Sequence, residues 1–255
     1  MSEQTAAGDA LRGRVIALTG AGEGIGRAVA LAAAERGAEV ILIGRNVRKL
    51  EAVHESIAQL RRVEASIAVL DLENALARNY DALAAAITQR YGRLDGLVHN
   101  AAVLGRLAPV EHYDVPTWCR VLHVNLTAAF ALTQVLLPLL RASADASVIF
   151  TSCEVGHLGA AYWGAYAVSK FGLEGLSQVL AAELAGTTAV RVNTVDPGTA
   201  LTRLRREAFP AEDMSGLPPP ERLIEPYLWL LGPDSRGVTG RRLDNQSSLS
   251  RSAWC

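Results

Sequence analysis

This sequence has no closely spaced cysteine pair, no closely spaced histidine pair and almost no excess of charge of either sign. Each absence excludes a class of protein. Three cysteines, Cys119, Cys153 and Cys255, occur among 255 residues, and no two have the CxxC spacing of zinc or redox sites. An odd count without that spacing predicts no disulfide framework and a reduced, cytoplasmic protein. The five histidines include no HxxxH pair, so we predict no metal site.

Long hydrophobic runs are also missing. Apolar stretches such as VLLPLL at 135–140 contain a proline and are far too short to cross a bilayer. The N-terminal segment MSEQTAAGDALRGR has no apolar core typical of a secretory signal. The formal net charge of −1 favours neither a nucleic acid nor a membrane as a partner. The composition is that of a soluble globular protein, and we expect a single domain over residues 1–255.

Apolar runs of strand length alternate with helical patterns along most of the chain. The predicted strands are 15–20, 39–44, 66–72, one within 93–102, 147–152 and 190–198. The predicted helices are 25–36, 47–62, one that ends near 91, 116–141 and 161–185. The strands are continuously apolar, which is typical of a parallel sheet covered on both faces. We therefore predict a doubly wound α/β fold of the Rossmann type, with one mostly parallel sheet of seven strands and helices on both faces.

Two segments depart from this alternation. Residues 199–225 are rich in proline and charge, and we predict that they form a mobile substrate lid over the carboxyl edge of the sheet. The RLRR run at 203–206 could recognise an anionic substrate, with a solvated helix face as the favoured alternative. Residues 246–255 form a polar tail that is either frayed or used in subunit contacts.

A glycine-rich turn, TGAGEGIG at 19–26, joins the first predicted strand to the first helix. Glycines allow the chain to turn tightly and let its backbone approach a pyrophosphate, while the helix N-terminus favours an anion. Because a strand and a helix flank the turn as the motif requires, we predict a dinucleotide site. The residues of the turn expected at the cofactor are Gly20, Gly22, Glu23, Gly24, Ile25 and Gly26.

The end of the second strand predicts which dinucleotide binds. NAD(H) would be held there by an acidic residue, but the chain has Gly44 followed by Arg45. A guanidinium can grip the 2′-phosphate of NADP(H), so NADP(H) is favoured over NAD(H), with a solvated arginine as the alternative. Glu23 argues the other way, since its carboxylate would repel that phosphate. Asp71 and Leu72 are expected at the adenine edge, unless Asp71 simply caps the following helix.

Tyr166 and Lys170 stand four residues apart, so they share one helix face. The pKa of a free tyrosine is about 10, too high for an efficient base at neutral pH. We expect the Lys170 ammonium and an oxidised nicotinamide to favour the phenolate and to lower the pKa of Tyr166. The lysine can also bind the cofactor ribose, which would tie cofactor and acid into one geometry.

Five motifs together resemble those of the short-chain dehydrogenase/reductase family. They are TGAGEGIG at 19–26, HNAA at 99–102, Asn125, YAVSK at 166–170 and PGTALT at 197–202. The resemblance extends over about residues 12 to 245, and WGAYAVSKF at 163–171 is similar to the bacterial YciK-like branch. It implies NAD(P)-dependent hydride transfer to or from a carbonyl or alcohol carbon, and a homodimer or homotetramer assembled through long helices.

The resemblance also implies a role for each motif residue. Tyr166 would donate and accept the proton with Lys170 as its partner, and Asn125 would organise the long helix and a water relay. The further residues implied at the cofactor are Asn100, Ala101, Ala102, Pro197, Gly198, Thr199 and Thr202, together with Tyr166 and Lys170.

Cys153 lies thirteen residues before Tyr166, where the family has a serine that donates a hydrogen bond to the substrate oxygen. Ser152 is adjacent, but in an extended strand it should point to the opposite face, unless a bulge intervenes. A thiol is a weak donor, and losing a well-placed donor costs about 10²- to 10³-fold in rate in other enzymes. A slow oxidoreductase is therefore predicted. Cys153 is alternatively a small buried apolar residue or a redox-sensitive brake.

Aromatic and apolar residues near this motif predict a cleft for a small hydrophobic carbonyl compound. The residues expected there are Leu104, Glu154, His157, Leu158, Tyr162 and Trp163. The sequence does not identify the substrate. Its main alternative function is a catalytically weak NADP-binding protein that acts as a sensor or interaction module, an alternative that Cys153 favours.

Overall fold

Seven parallel strands form one sheet in the computed structural model, which describes residues 9–245. The strand order is β3-β2-β1-β4-β5-β6-β7. The strands are β1 Val15–Thr19, β2 Glu39–Gly44, β3 Ala65–Val69, β4 Gly96–His99, β5 Ser147–Thr151, β6 Arg191–Asp196 and β7 Arg242–Asp244. The predicted doubly wound Rossmann-type fold is confirmed, and every strand pair is parallel. The predicted tail, 246–255, lies outside the described residues.

Helices cover both faces of the sheet. They are α1 Gly24–Glu35, α2 Val47–Leu60, α3 Ala77–Tyr91, α4 Val115–Arg141, α5 Gly164–Leu184, α6 Arg203–Ala208 and α7 Glu225–Leu231. One core packs α1, α2 and α7 against the sheet, and the other packs α3, α4 and α5 against its opposite face. Alternate residues of β1 enter the two cores, with Ile16 in the first and Ala17 in the second. Both faces are thus apolar, which explains the unbroken hydrophobic runs.

Two helices differ in length from their predicted ranges for a backbone reason. Helix α2 ends at Leu60 because Arg61 has a left-handed backbone, with φ 52°. Helix α5 begins at Gly164 rather than at residue 161, since Tyr162 has φ 73° and cannot continue a right-handed helix. A π-helical segment, His123–Thr127, interrupts α4.

In the described part of the chain, α4 is the one helix with the length and apolar composition needed to cross a membrane. Its residues Leu132, Leu136 and Leu140 are buried in the core beside the sheet. Packing of a core helix accounts for this composition.

The segment 199–225 is folded onto the carboxyl edge of the sheet. It contains α6 and two short 3₁₀ turns, Met214–Gly216 and Pro220–Arg222. Arg205 holds Glu212 through two nitrogens at 2.6 and 2.5 Å, and the Leu201 amide donates to the Pro218 carbonyl at 2.9 Å. These bonds give the predicted lid a defined shape, and its mobility stays a prediction.

Candidate active site at the carboxyl edge of the sheet

A cavity of about 900 Å³ opens where the strands end. Its wall is built from residues that follow β1, β2, β3, β4, β5 and β6, and helix α6 forms part of its rim. The carboxyl edge of a doubly wound sheet is where such folds bind their ligands, at the point where strand order reverses. Here that point lies between β1 and β4.

The glycine turn forms one side of the cavity and fits a pyrophosphate. Gly20 and Gly24 have left-handed backbones, with φ 68° and 55°. A Cβ at Gly26 would lie 2.2 Å from the Gly20 carbonyl oxygen, so only glycine allows α1 to start so close to β1. Gly26 therefore acts through packing and does not line the cavity, although it was predicted at the cofactor. The other predicted residues of the turn do line it.

The opposite wall follows β4 and β6. The residues of this wall that were predicted at the cofactor all line the cavity: Asn100, Ala101, Ala102, Pro197, Gly198, Thr199 and Thr202. Thr19, which the sequence analysis did not single out, holds this wall to the glycine turn: its hydroxyl accepts hydrogen bonds from the Asn100 and Ala101 amides at 3.0 and 3.1 Å.

Arg45 lies at the adenosine end of the cavity with its side chain half exposed. Its guanidinium is 3.4 Å from Glu73, and Glu73 also accepts a hydrogen bond from Arg120 at 2.7 Å. That bond from Arg120 lowers the pKa of Glu73. Gly44 offers no side chain here, so Arg45 is the first side chain after β2 that can meet a ribose phosphate.

Glu23 has two cationic partners that the sequence analysis missed. Lys49 Nζ lies 2.5 Å from one carboxylate oxygen, and Arg203 Nε lies 3.3 Å from the other. The repulsion expected between Glu23 and a ribose phosphate is therefore offset. No spacing within a single element reveals these partners, because the glycine turn, α2 and α6 are separate elements.

Asp71 and Leu72 line the cavity beyond β3. Asp71 also accepts hydrogen bonds from the Glu73 amide at 3.3 Å and from Asn74 Nδ2 at 2.7 Å. Asp71 therefore lines the cavity and braces the loop before α3, but it does not cap that helix, whose N-cap is Leu76.

Tyr166 and Lys170 lie side by side on α5 and are both almost fully buried. Lys170 Nζ donates to the Thr151 carbonyl at 2.7 Å and lies 5.6 Å from the centre of the Tyr166 ring. Burial, followed by the neighbouring Cys153, raises the pKa of Tyr166 well above its ordinary value. Burial lowers the pKa of Lys170. For the chain's own groups the expected lowering of the Tyr166 pKa is wrong, because burial outweighs any help from the ammonium.

Cys153 takes the place beside Tyr166. Its backbone is fully extended, φ −168° and ψ 173°, so the Cys153 side chain points away from the face that Ser152 occupies. Both residues line the cavity. Burial raises the pKa of the Cys153 thiol. Ser152 Oγ is buried without a hydrogen-bond partner among the described residues, and a Cβ at Gly156 would lie 2.8 Å from it.

Asn125 lies in the π-helical segment of α4 and does not reach the cavity surface. Its side chain accepts from the Val103 amide at 2.8 Å and donates to the Val103 carbonyl and to Ser169 Oγ, both at 3.0 Å. It therefore clamps the loop after β4 to helix α5, next to Lys170. π-helical turns of this kind are frequent at functional sites.

The substrate side of the cavity contains Glu154, His157, Leu158 and Trp163, as expected. Two predicted residues lie elsewhere. Leu104 is buried behind Tyr166 in a small apolar cluster, and Tyr162 is exposed outside the cavity because its left-handed backbone turns it away.

The lid contributes residues to the cavity, and of those that follow only Ala208 and Phe209 lie outside the RLRR run that the sequence analysis singled out. They are Leu204, Arg205, Ala208 and Phe209. Trp163 connects the two sides, with its ring 5.7 Å from that of Tyr166 and 5.8 Å from that of Phe209. Among the described residues no group of three His, Cys, Asp or Glu side chains is arranged to hold a metal ion.

Comparison with known proteins agrees with this geometry. Residues 14–213 match the family model for short chain dehydrogenases. The chain is a short-chain dehydrogenase. This family membership confirms the resemblance found in the motifs, and as a member of a family of oxidoreductases the chain is an enzyme.

Three similar proteins place this short-chain dehydrogenase within its family. The oxidoreductase YciK of Escherichia coli strain K12 is 45% identical over 93% of the chain and 94% of its own length. A short chain dehydrogenase from Pseudomonas syringae is 48% identical, with a TM-score of 0.92 over 94% of the chain and 97% of its own. A short chain dehydrogenase from Shigella flexneri, solved in complex with NADP, is 45% identical. Its TM-score is 0.89 over 94% of the chain and 99% of its own length.

Proposed function

We propose that this short-chain dehydrogenase transfers hydride between NADP(H) and a carbonyl or alcohol carbon of a small hydrophobic substrate, with Tyr166 as the acid and base. The arrangement of Tyr166, Lys170 and Cys153 around one end of the large cavity carries the proposal. The glycine turn at the other end supplies backbone amides for a pyrophosphate. A dinucleotide held there would extend toward Tyr166.

The nicotinamide dinucleotide, when bound, supplies or accepts the hydride. Tyr166 donates its hydroxyl proton to the substrate oxygen during reduction and accepts a proton from it during oxidation. Because burial raises the pKa of Tyr166, the phenol is protonated at neutral pH, which suits reduction. Cys153 presents its thiol to the same oxygen, but as a weaker donor than a hydroxyl.

Lys170 and Asn125 hold this geometry. Lys170 is anchored on the Thr151 carbonyl and its ammonium remains beside the tyrosine ring. Asn125 fixes the loop after β4 against α5 through Val103 and Ser169. Holding a reacting group close to the position it needs for reaction contributes strongly to the rate. We propose that Asn125 also organises a water relay.

NADP(H) is the proposed cofactor on two grounds. Arg45 follows Gly44, which has no side chain, at the end of the cavity beyond β2, and the charge of Glu23 is offset by Lys49 and Arg203. The similar Shigella flexneri protein was crystallised with NADP. A 2′-phosphate would compete with Glu73 for Arg45.

The substrate class follows from the cavity wall above Tyr166. Trp163, Leu158, Ala208 and Phe209 present apolar surface there, while Glu154 and His157 are the polar side chains exposed near the opening. Such a pocket favours an apolar carbonyl compound fixed by few polar contacts. The lid supplies Ala208 and Phe209 to this surface, so lid position and substrate affinity are expected to be coupled.

The experiment combines cofactor binding with turnover. The purified protein is titrated with NADPH and NADH by fluorescence, then assayed with the tighter cofactor on a panel of aldehydes, ketones and diketones. Tyr166→Phe should keep cofactor binding and lose about 10²- to 10⁴-fold in kcat. Tyr91→Phe, which removes a hydroxyl on α3 that contacts Ser66, is the matched control and should keep full activity.

The second candidate function is a catalytically weak NADP-binding protein that responds to its cofactor by binding a partner. The weak thiol donor at Cys153 favours it. Tight NADPH binding with no turnover across the whole panel, in wild type and in Cys153→Ser alike, would select this candidate over the oxidoreductase.

We further propose that the chain forms one domain and assembles as a homodimer or homotetramer in the cytoplasm. Val168, Phe171 and Val179 form an exposed apolar stripe along α5, and Phe130 is exposed on the neighbouring α4. Residues at this spacing lie on one helix face and are suited to pair with a second copy. Light scattering coupled to size-exclusion chromatography tests the assembly, and a monomeric mass at micromolar concentration would refute it.

A further inference from the structure

We propose that Asp196 is a positioning residue of the active site: its buried carboxylate, fixed by Arg242 and the Gly198 amide, holds the proton on Tyr166 and keeps the site in its proton-donating form. The inference rests on the proposed role of Tyr166. No motif of the sequence analysis pointed to Asp196, because an acidic residue at the end of a strand carries no signal of its own.

Asp196 is the last residue of β6, and among the described residues it is the one buried carboxylate that lines the cavity. One oxygen accepts a hydrogen bond from the Gly198 amide at 2.8 Å. The other accepts from Arg242 Nη2 on the neighbouring strand β7 at 2.9 Å. With both oxygens engaged from different sides, the carboxylate cannot turn away from the cavity.

The charge of Asp196 acts on each titratable group of the site. Asp196 follows Val195, whose carbonyl accepts a hydrogen bond from the Ser152 amide at 2.8 Å, so its carboxylate lines the same cavity as Cys153 and Tyr166. After burial and Cys153, Asp196 raises the pKa of Tyr166 further. Burial also raises the pKa of Cys153, where Lys170 lowers it and Asp196 raises it. Negative charge stabilises the protonated forms of a phenol, a thiol and an amine alike.

Other charged groups share this part of the site with Asp196 and Lys170. Arg242 is shared, since its guanidinium also lies 3.4 Å from Glu174 on α5. Glu174 and Asp196 both act on Lys170, and Asp244 and Glu154 add negative charge near Asp196 itself. One guanidinium therefore serves two carboxylates.

The expected effect on catalysis is a shift along the pH axis. Reduction consumes the phenol proton, so an ionised Asp196 extends reduction to higher pH, whereas oxidation needs the phenolate and requires more alkaline solution. Burial raises the pKa of Asp196, and the Gly198 amide and Arg242 oppose that rise. Below the pKa of Asp196 its carboxyl is neutral and the effect disappears.

Asp196→Asn tests the inference because asparagine removes the negative charge but keeps an oxygen that can accept from the Gly198 amide. Arg242 keeps its ion pair with Glu174. The first readout needs neither cofactor nor substrate: the pH dependence of Cys153 alkylation by iodoacetamide, followed by mass spectrometry of its peptide. The second is the pH profile of kcat/KM for carbonyl reduction. We expect the midpoint of alkylation and the alkaline limit of reduction both to fall by on the order of one pH unit. Asp196→Ser, a smaller neutral variant, should shift both in the same direction.

Asp244→Asn is the matched control, since it removes the same charge from the residue paired with Asp196 in β7. Its shift should be less than half of that of Asp196→Asn. Equal shifts, or an unmoved alkylation midpoint in both Asp196 variants, would overturn the inference. A moved midpoint with an unmoved pH profile of turnover would overturn the role in catalysis. A moved midpoint in a protein without any turnover would support the charge coupling and refute the proposed oxidoreductase function instead.

Discussion

Lys49 on α2 binds Glu23 in the glycine turn, with Nζ 2.5 Å from Oε2. The pair stands beside the position of Arg45, at the end of the cavity where a ribose phosphate would lie. It converts an acidic residue that would repel NADP(H) into one half of an ion pair. Arg203 on the lid approaches the same carboxylate, so the lid and the cofactor wall share one charge cluster.

We expect substitutions in this cluster to change NADPH binding more than NADH binding. Arg45→Ala should weaken NADPH binding by about 10- to 100-fold, the range for a lost charge-assisted hydrogen bond, and leave NADH nearly unchanged. Lys49→Met should also weaken NADPH binding, because Glu23 then lacks its closest cationic partner. Fluorescence titration with both cofactors measures these ratios.

Arg48 supplies the control for this prediction, since it is an exposed arginine on the same helix that does not line the cavity. Arg48→Ala should leave both dissociation constants within about twofold. Equal losses of NADPH affinity in Arg45→Ala and Arg48→Ala would indicate a general electrostatic effect of the charges near the start of α2 and not a phosphate site.

Cys153→Ser should raise kcat. A hydroxyl donates a stronger hydrogen bond than a thiol, and one well-placed donor contributes about 10²- to 10³-fold. Because the thiol still donates weakly, we expect a gain of about tenfold, measured on the best substrate of the carbonyl panel. An unchanged or lower kcat would show that substrate oxygen does not meet this side chain.

The same thiol predicts insensitivity to mild oxidants. Thiolates are the reactive form, and burial raises the pKa of Cys153, so little thiolate is present at neutral pH. Activity should therefore be the same before peroxide, after peroxide and after subsequent reductant. Reversible inhibition that is absent in Cys153→Ser would establish the redox brake after all.

Asp145 should be the most sensitive carboxylate for stability. It lies at the amino-terminal edge of the sheet and binds Arg191 at 3.0 Å and Arg14 at 2.5 Å. Burial alone would raise the pKa of Asp145, but the two guanidinium groups outweigh it and lower the pKa. Asp145→Asn leaves the buried Arg191 without its counter-charge, at a cost of about 3 kcal/mol in the free energy of unfolding. Urea unfolding at neutral pH measures the loss.

A surface carboxylate provides the comparison. Asp9 pairs with Arg62 and Arg12, and all three side chains are well exposed. Asp9→Asn should change the free energy of unfolding by less than about 1 kcal/mol, as exposed ion pairs do. Similar losses in the two variants would mean that the Asp145 cluster is no more than a surface pair.

His99 should make the fold sensitive to acid. Burial lowers the pKa of His99 to about 3, and its Nε2 contacts the Thr133 hydroxyl at 2.8 Å. Thr133 gives its own proton to the Ala129 carbonyl, so His99 is the donor and the ring is neutral with its proton on Nε2. An unfolded histidine has a pKa near 6.5, so the unfolded state binds the extra proton between that value and the folded pKa.

The contribution of His99 to the free energy of unfolding is therefore complete above about pH 6.5 and is lost as the pH falls. Between pH 7 and pH 5 it should lower the free energy of unfolding by about 2 kcal/mol. His99→Gln should lose this part of the pH dependence in urea unfolding, whereas His112→Gln, at an exposed site, should retain it. Parallel pH curves for wild type and His99→Gln would contradict the assignment.

Local patterns predicted much of the fold and part of the site. Strands and helices follow from the apolar runs and helical spacing. The ends of two helices moved where Arg61 and Tyr162 adopt left-handed backbones, and the predicted strands 66–72 and 190–198 end earlier, at Val69 and Asp196. Leu104 and Tyr162 were placed in the substrate cleft because of their distance along the chain, yet one is buried behind Tyr166 and the other turns outward. Side-chain direction in a loop depends on backbone angles that composition does not specify.

By itself the sequence determined the glycine turn and the tyrosine and lysine on one helix face, because these depend on spacing within single elements. The place of the Cys153 thiol beside them came from the family resemblance. Only the tertiary structure decided the charges of the site. It brought Lys49 and Arg203 to Glu23, Arg242 to Asp196, and enough protein around Tyr166 to raise its pKa. Burial and ion pairing arise between elements far apart in the chain, and their strength depends on how those elements pack.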